Sequence, residues 1–156
     1  MREFGQILNA YKNSTVFWED VIYHVETGSH PALAPGLFEE LTKDKEINDH
    51  AYFALLFFQF EDFVKERFRG LRRTRLTVAT RSDRAAWEYI DADRVSLLPM
   101  MRMLLPERAD LRRKVKQYYD FRNRIAHEAA LSLTIVLESA AADLKAIATC
   151  IASDAP

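Results

Sequence analysis

The residues of this 156-residue chain best suited to chemistry stand close together. They are Arg122, Asn123 and His127, inside the stretch YYDFRNRIAHE (Tyr118–Glu128). An imidazole, with an ordinary pKa of about 6.5, takes or gives a proton near neutrality. An arginine is always charged and cannot act as a base, but its planar fork suits a phosphate and the charge that builds on it. Asn123 offers a donor and an acceptor, and is expected to orient a site or a 2′-oxygen rather than move protons. This set fits RNA cleavage by the RNA's own 2′-hydroxyl. A base takes the hydroxyl proton, an acid protonates the leaving 5′-oxygen and a cation steadies the phosphorane, leaving a 2′,3′-cyclic phosphate and a 5′-hydroxyl. The structural alternative is a helix-terminal histidine favoured by the helix dipole, beside an arginine that is only a surface charge.

The other histidines repeat nothing of this pattern. His24, His30 and His50 have Glu19, Val25 and Lys45 five positions earlier. They also lack ligand spacing, and with a single cysteine, Cys150, no metal site and no cofactor is expected. The lone cysteine excludes an internal disulfide framework and fits a reducing compartment. The N-terminal MREFGQILNAYKN carries charges and no long apolar run, so no signal peptide is expected, and no stretch has the length of a membrane span. The expected location is the cytoplasm.

Charge is unevenly spread although the chain is nearly neutral, at −1 overall. From Lys65 to Arg124 there are 17 Lys/Arg and 8 Asp/Glu, a balance of +9, against 5 and 15, or −10, in the remainder. Of the 22 basic residues, 15 are arginine, the better planar partner for phosphate. Such a block is either a set of solvated helix faces or a surface for a polyanion. On the second reading Lys65, Arg69, Arg72, Arg73 and Arg124 are the candidate RNA-binding residues.

The elements that must carry these residues read as helices. With only 4 Gly and 5 Pro, a turn-rich β-sandwich is disfavoured. Apolar positions from Phe4 to Val25 predict a helix over 3–26 with a break at Asn13-Ser14, followed by the loop TGSHPALAPG (Thr27–Gly36). A short helix is expected at Leu37–Lys43. The strongest helix is expected from about Asn48 to Arg69, capped by Asn48 or Asp49 and ended by Gly70. Its stripe Phe53, Leu56, Phe57, Phe60, Val64 and Phe68 makes it the central, most buried element. The polar, basic, partly β-branched segment 71–83 reads as a loop or frayed end. Ser82 or Asp83 is expected to cap a short helix through RAAWEYI, and Asp93 another through RVSLLPMMRMLL, with Pro99 in its first turns or kinking it. Helices over Glu107–His127 and Ser132–Ala152 complete the chain. The expectation is one all-α domain over 1–156, a bundle of about five to seven helices.

FRNRIAHE, at the foot of the penultimate helix of a small all-α chain, resembles the HEPN superfamily (higher eukaryotes and prokaryotes nucleotide-binding). That superfamily's signature is an Arg, four to six residues, then a His, often with a polar residue after the Arg. Arg122, Asn123 and His127 match it in the four-residue spacing. The resemblance implies a HEPN-like bundle and a metal-independent endoribonuclease, of the kind found in toxin–antitoxin, abortive-infection and phage-defence systems. It also implies an RNA substrate and a cognate antitoxin as partners. Some members add an acidic residue, three residues, then Lys-Arg on an earlier helix. Glu61 and Lys65 fit the first part, but Glu66 stands where Arg would be, and their i,i+4 spacing is also that of a plain ion pair. One toxin group has a Tyr two residues after the motif His, to which its antitoxin adds nucleotides; Ala129 stands there, so that control is not expected.

On a regular helix Arg122 and His127 lie about 140° apart, whereas Asn123 and His127 share a face. One histidine per chain also leaves one proton transfer unassigned. Both difficulties ease in a two-fold homodimer with the motifs meeting in one basic cleft, which is how HEPN ribonucleases are generally built. If both side chains line a solvent-filled cleft, neither Arg122→Ala nor His127→Ala should unfold the protein. Tyr118, Tyr119 and Phe121 have the spacing of core aromatics rather than of a base-stacking platform. Two other readings stand beside the ribonuclease. One is a catalytically inactive HEPN-like module that binds RNA, nucleotides or protein. The other is a helical dimer that senses nucleotides, although no Gly-rich phosphate loop is present.

Overall fold

A computed structural model describes residues 3–28, 36–78, 80–128 and 134–153. These residues form an all-α bundle of six helices with no strand: α1 (Phe4–Glu26), α2 (Leu37–Val78), α3 (Arg81–Glu88), α4 (Leu97–Leu104), α5 (Ala109–Glu128) and α6 (Leu137–Ser153). His30, Ala129, Ser132 and Leu133 lie outside the described residues. Helix α2 touches all five of the others, and its Phe53, Leu56, Phe57, Phe60, Val64 and Phe68 are fully buried. The central stripe expected from the periodicity is therefore the core. Met100 and Met101 of α4, Val115 of α5 and Leu144, Ile147 and Ile151 of α6 close around it.

Helix ends depart from the sequence expectations, each for a local reason. Helix α1 runs unbroken through Asn13-Ser14. Ser14 donates to the Asn48 side chain 3.1 Å away, and Tyr11 meets Tyr52 edge to face at 5.5 Å. Ser14 and Asn48 thus join two helices instead of interrupting or capping one, and Asp49 is taken by Lys45 at 3.0 Å. Val16 and Phe17, expected on the apolar side of α1, are exposed. Gly28 ends α1 and Gly36 precedes α2, both at positive φ (66° and 94°), where a Cβ would be strained.

The short helix at 37–43, the helix from 48 and the loop from 71 are in fact one helix of 42 residues, about 63 Å long. Gly70 sits inside it and does not end it. A mid-helix Gly costs only about 1 kcal/mol, and Leu71 beyond it packs on the core. Thr80, not Ser82 or Asp83, caps α3. Its hydroxyl accepts from the Asp83 amide at 3.3 Å and donates to the Asp83 carboxylate at 2.7 Å, a reciprocal cap. Helix α4 starts after Ser96, so Asp93 belongs to the turn before it, and Pro99 falls in the first turn, where its missing N–H costs nothing. Arg112 donates to the Leu105 and Pro106 carbonyls, tying the start of α5 to the end of α4. Helix α6 begins at Leu137, with Val136 exposed just before it. No helix among the described residues is long and apolar enough to cross a membrane.

Candidate functional site

Helix α5 crosses α2 through its aromatic residues. Phe53 lies 5.0 Å from Phe121 and 6.0 Å from Tyr118, and Phe57 lies 6.4 Å from Tyr119. These three α5 rings are packed on the core, as their spacing implied. His50 is buried in the same region, edge to face with Phe121 at 5.9 Å. The packing sets the roll of α5 and so decides where the motif residues point.

Arg122 follows Tyr118 by one turn and shares its core-facing side. Its Nη2 donates to Glu61 Oε1 at 2.9 Å, and its guanidinium lies 5.2 Å from the Tyr119 ring centroid and 5.9 Å from that of Phe57. The Arg122 side chain is 31% exposed and that of Glu61 14%. The pair is thus half-buried, and Arg122 is neither a free surface charge nor a bystander in an open cleft. Two expectations fall with this. Glu61 does not pair with Lys65, which reaches Asp62 at 4.0 Å instead. Arg122 also takes part in the α2–α5 contact, so it does not simply line a solvent-filled cleft.

His127 stands on the other side of the same helix. It comes about half a turn round the axis from Tyr118, and it is exposed. Asn123, one turn before it, is half-exposed on that outer side. Neither side chain has a hydrogen-bond partner among the described residues. Within one chain, then, the fold brings Asn123 and His127 to one face and turns Arg122 toward Glu61 and the core.

The basic candidates divide into two groups. Lys65 lies one turn beyond Glu61 on α2, and Arg124 is exposed next to Asn123 on α5. Arg69, Arg72 and Arg73 lie farther along α2, Arg72 about 17 Å past the level of Glu61. They line an open cleft of about 470 Å³ bordered on its other side by the turn after α3. Much of the block is neutralised by nearby carboxylates. Arg69 holds Asp93 at 2.6 Å and Glu66 at 3.7 Å, and Arg73 lies 3.8 Å from Glu66. The Arg69–Asp93 hydrogen bond holds the Asp93 carboxyl below its ordinary range.

A second polar cluster at the back of α5 was not foreseen. Tyr118 donates to Asp143 of α6 at 2.6 Å, and Lys114 reaches the same carboxylate at 2.7 Å. Burial, reinforced by the bond to Asp143, raises the Tyr118 phenol well above its ordinary value. Burial alone would raise Asp143, but the Lys114 and Tyr118 bonds outweigh it and the carboxyl is lowered. The cluster joins α5 to α6 and so fixes the helix that carries the motif. Among the described residues no three His, Cys, Asp or Glu side chains are grouped to hold a metal ion.

No family model matches the chain, and no curated protein and no solved structure matches it either.

Proposed function

We propose that this chain is a HEPN-type, metal-independent endoribonuclease that acts as a homodimer, in the role of a toxin or phage-defence effector held in check by a cognate antitoxin. The observation that carries the reading is the state of Arg122. Its guanidinium is anchored by Glu61 and by the Tyr119 and Phe57 rings, yet remains 31% exposed. A cation fixed before substrate arrives is what stabilising a phosphorane requires, because no reorganisation is then needed as charge develops. Glu61 also takes the acidic position on an earlier helix that the family resemblance provides. His127, exposed on the same helix, is available for proton transfer.

The dimer belongs to the proposal because one chain turns Arg122 and His127 to different sides. Two chains apposed along their α5 helices would supply two imidazoles, one for each proton transfer. The test is incubation of purified protein with single-stranded RNA, with and without EDTA, together with light scattering. The reading expects EDTA-resistant cleavage, ends bearing 2′,3′-cyclic phosphate and a dimer mass. Cleavage abolished by EDTA, or full activity from a strict monomer, would overturn it.

The divergence of Arg122 and His127 within one chain favours a second reading, an inactive HEPN-like module that binds RNA, nucleotides or protein. On it Arg122–Glu61 is purely structural, and no RNA is cut under any condition.

A further inference from the structure

The cleft beside Arg72 is distinct from the motif end of α5, and its lining is unusual. Arg69, Arg72 and Arg73 follow one another at i, i+3 and i+4, so all three reach one side of α2. Arg69 is occupied by Asp93 and Arg73 leans toward Glu66. Arg72 is different. It is half-buried, and its Nε is shielded from solvent with no hydrogen-bond partner among the described residues. No carboxylate among those residues pairs with it. A ligand cannot reach the shielded Nε itself; what Arg72 offers the cleft it lines is a permanent charge with no carboxylate partner among the described residues.

Tyr89, at the end of α3 and on the rim of the same cleft, is 90% exposed, while Trp87, two residues earlier, packs against Phe68. An aromatic ring left outside the core, on the rim of a cleft of about 470 Å³ that Arg72 also lines, offers a flat apolar surface to the same ligand as a phosphate partner. The carboxylates at the rim do not cancel this. Asp93 is held by Arg69, and Asp91 by Arg94 at 3.1 Å. Glu88, beside Tyr89, has no basic partner among the described residues and suits the N–H donors of a base edge.

We propose that this cleft binds one nucleotide unit, its phosphate on Arg72 and Arg73 and its base stacked on Tyr89. The choice of ligand rests on the RNA reading above, but the site does not depend on catalysis. A cleft about 17 Å along α2 from Glu61 would hold a part of the strand away from the bond being cut. It would then contribute to binding and not to the chemical step.

The experiment measures binding of a fluorescein-labelled single-stranded RNA by anisotropy, on full-length protein carrying His127→Ala to prevent turnover. Added to this background, Arg72→Met keeps the aliphatic packing and removes the charge. Tyr89→Ala removes the ring, Tyr89→Phe keeps it, and Lys145→Ala, at an exposed position of α6, is the control for loss of one positive charge. Arg72→Met and Tyr89→Ala are each expected to weaken binding about tenfold, with Arg72→Met lowering the salt slope by about 1. Tyr89→Phe and Lys145→Ala should bind as the background does. Competition with a free 5′-mononucleotide separates the two sources of ligand. Displacement at micromolar concentration identifies a mononucleotide site, and displacement only by unlabelled RNA identifies a strand site. Inorganic phosphate competing as well as the mononucleotide would remove the base contact and overturn the proposal. Equal effects of Arg72→Met and Lys145→Ala, or of Tyr89→Phe and Tyr89→Ala, would also overturn it, as would the absence of RNA binding. Cleavage by the unsubstituted protein reports on the ribonuclease reading separately. A protein that cuts RNA but ignores the cleft substitutions loses only this site, and one that shows the binding pattern without cutting loses only the catalysis.

Discussion

Arg122 and Glu61 are 61 residues apart in sequence and 2.9 Å apart in space, and their contact joins the helix bearing the candidate motif to the central helix of the bundle. The carboxylate is nearly buried and the guanidinium about one-third exposed, so the pair lies between the surface and interior regimes of ion pairing. Its rings add to it: an arginine at 5.2 Å over Tyr119 gains a cation–π contribution of about 0.5–1 kcal/mol.

Glu61→Gln should therefore cost about 1–2 kcal/mol of folding stability, since a charge-assisted bond becomes a neutral one while the shape is kept. Arg122→Met, which keeps the packing over Tyr119, should cost at least as much because it leaves a nearly buried carboxylate unpaired. Urea denaturation of both single variants and the double variant gives the coupling energy. A coupling within about 0.3 kcal/mol of zero would mean that the pair does not hold α5 on α2.

Gly70→Ala should raise stability by about 0.5–1 kcal/mol. Gly70 is interior to α2, and a Cβ there meets nothing within 4 Å. Alanine then gains helix propensity and narrows the unfolded ensemble without a clash. Thermal or urea unfolding checks this. A loss of stability would place Gly70 at a helix end in a left-handed conformation, contrary to a continuous α2.

Local patterning made the buried face legible, and long-range contacts made the rest illegible. The Phe53–Phe68 stripe could be read because helical periodicity is a property of neighbouring residues. The ends of α2 could not. Asn48 and Asp49 have the chemistry of caps, but Ser14 and Lys45 claim their side chains. Gly70 lacks the power to stop a helix whose next residue, Leu71, is packed on the core. The candidate motif could be found by composition and spacing alone, and the about 140° divergence of Arg122 from His127 followed from helix geometry. The partner of Glu61 did not follow, because the local i,i+4 rule named Lys65 while the fold delivered Arg122. The basic block likewise overstated the free positive charge. Asp93, brought to Arg69 by the turn before α4, neutralises part of it from outside the helix.

The Tyr118–Asp143–Lys114 cluster sets opposite trends at the two ends of the pH scale. Asp143 is lowered in the folded chain, so its contribution is present above the ordinary carboxyl range and is lost as pH falls through the folded value. Tyr118 is raised, first by burial and then by Asp143, so its contribution is full below about pH 10 and is lost as pH climbs through the raised folded value. Tyr118→Phe should flatten the alkaline decline in melting temperature. Asp143→Asn should flatten the acid decline and also weaken the alkaline one, since part of the Tyr118 shift comes from that carboxylate. Melting curves from pH 3 to pH 11 test both, and an unchanged alkaline slope in Tyr118→Phe would remove the phenol from the account.

His127→Ala should separate catalysis from folding. The side chain is exposed and makes no hydrogen bond among the described residues, so stability should change by no more than about 0.5 kcal/mol. If it transfers a proton to or from RNA, cleavage should fall by about 10²–10⁴-fold. Arg122→Ala should differ from it in kind, losing a similar factor in rate and also destabilising the chain through the stranded Glu61. Asn123→Ala should affect rate with little effect on the fold, because Asn123 shares the outer face of α5 with His127. Single-turnover cleavage of a defined single-stranded RNA, with a melting curve for each variant, resolves the three. Growth arrest on expression of the unsubstituted chain, relieved by His127→Ala, would agree with a toxin. If well-folded His127→Ala protein cleaves at the unsubstituted rate, the histidine is not in the reaction, and the exposed face of α5 would have to be explained as a binding surface alone.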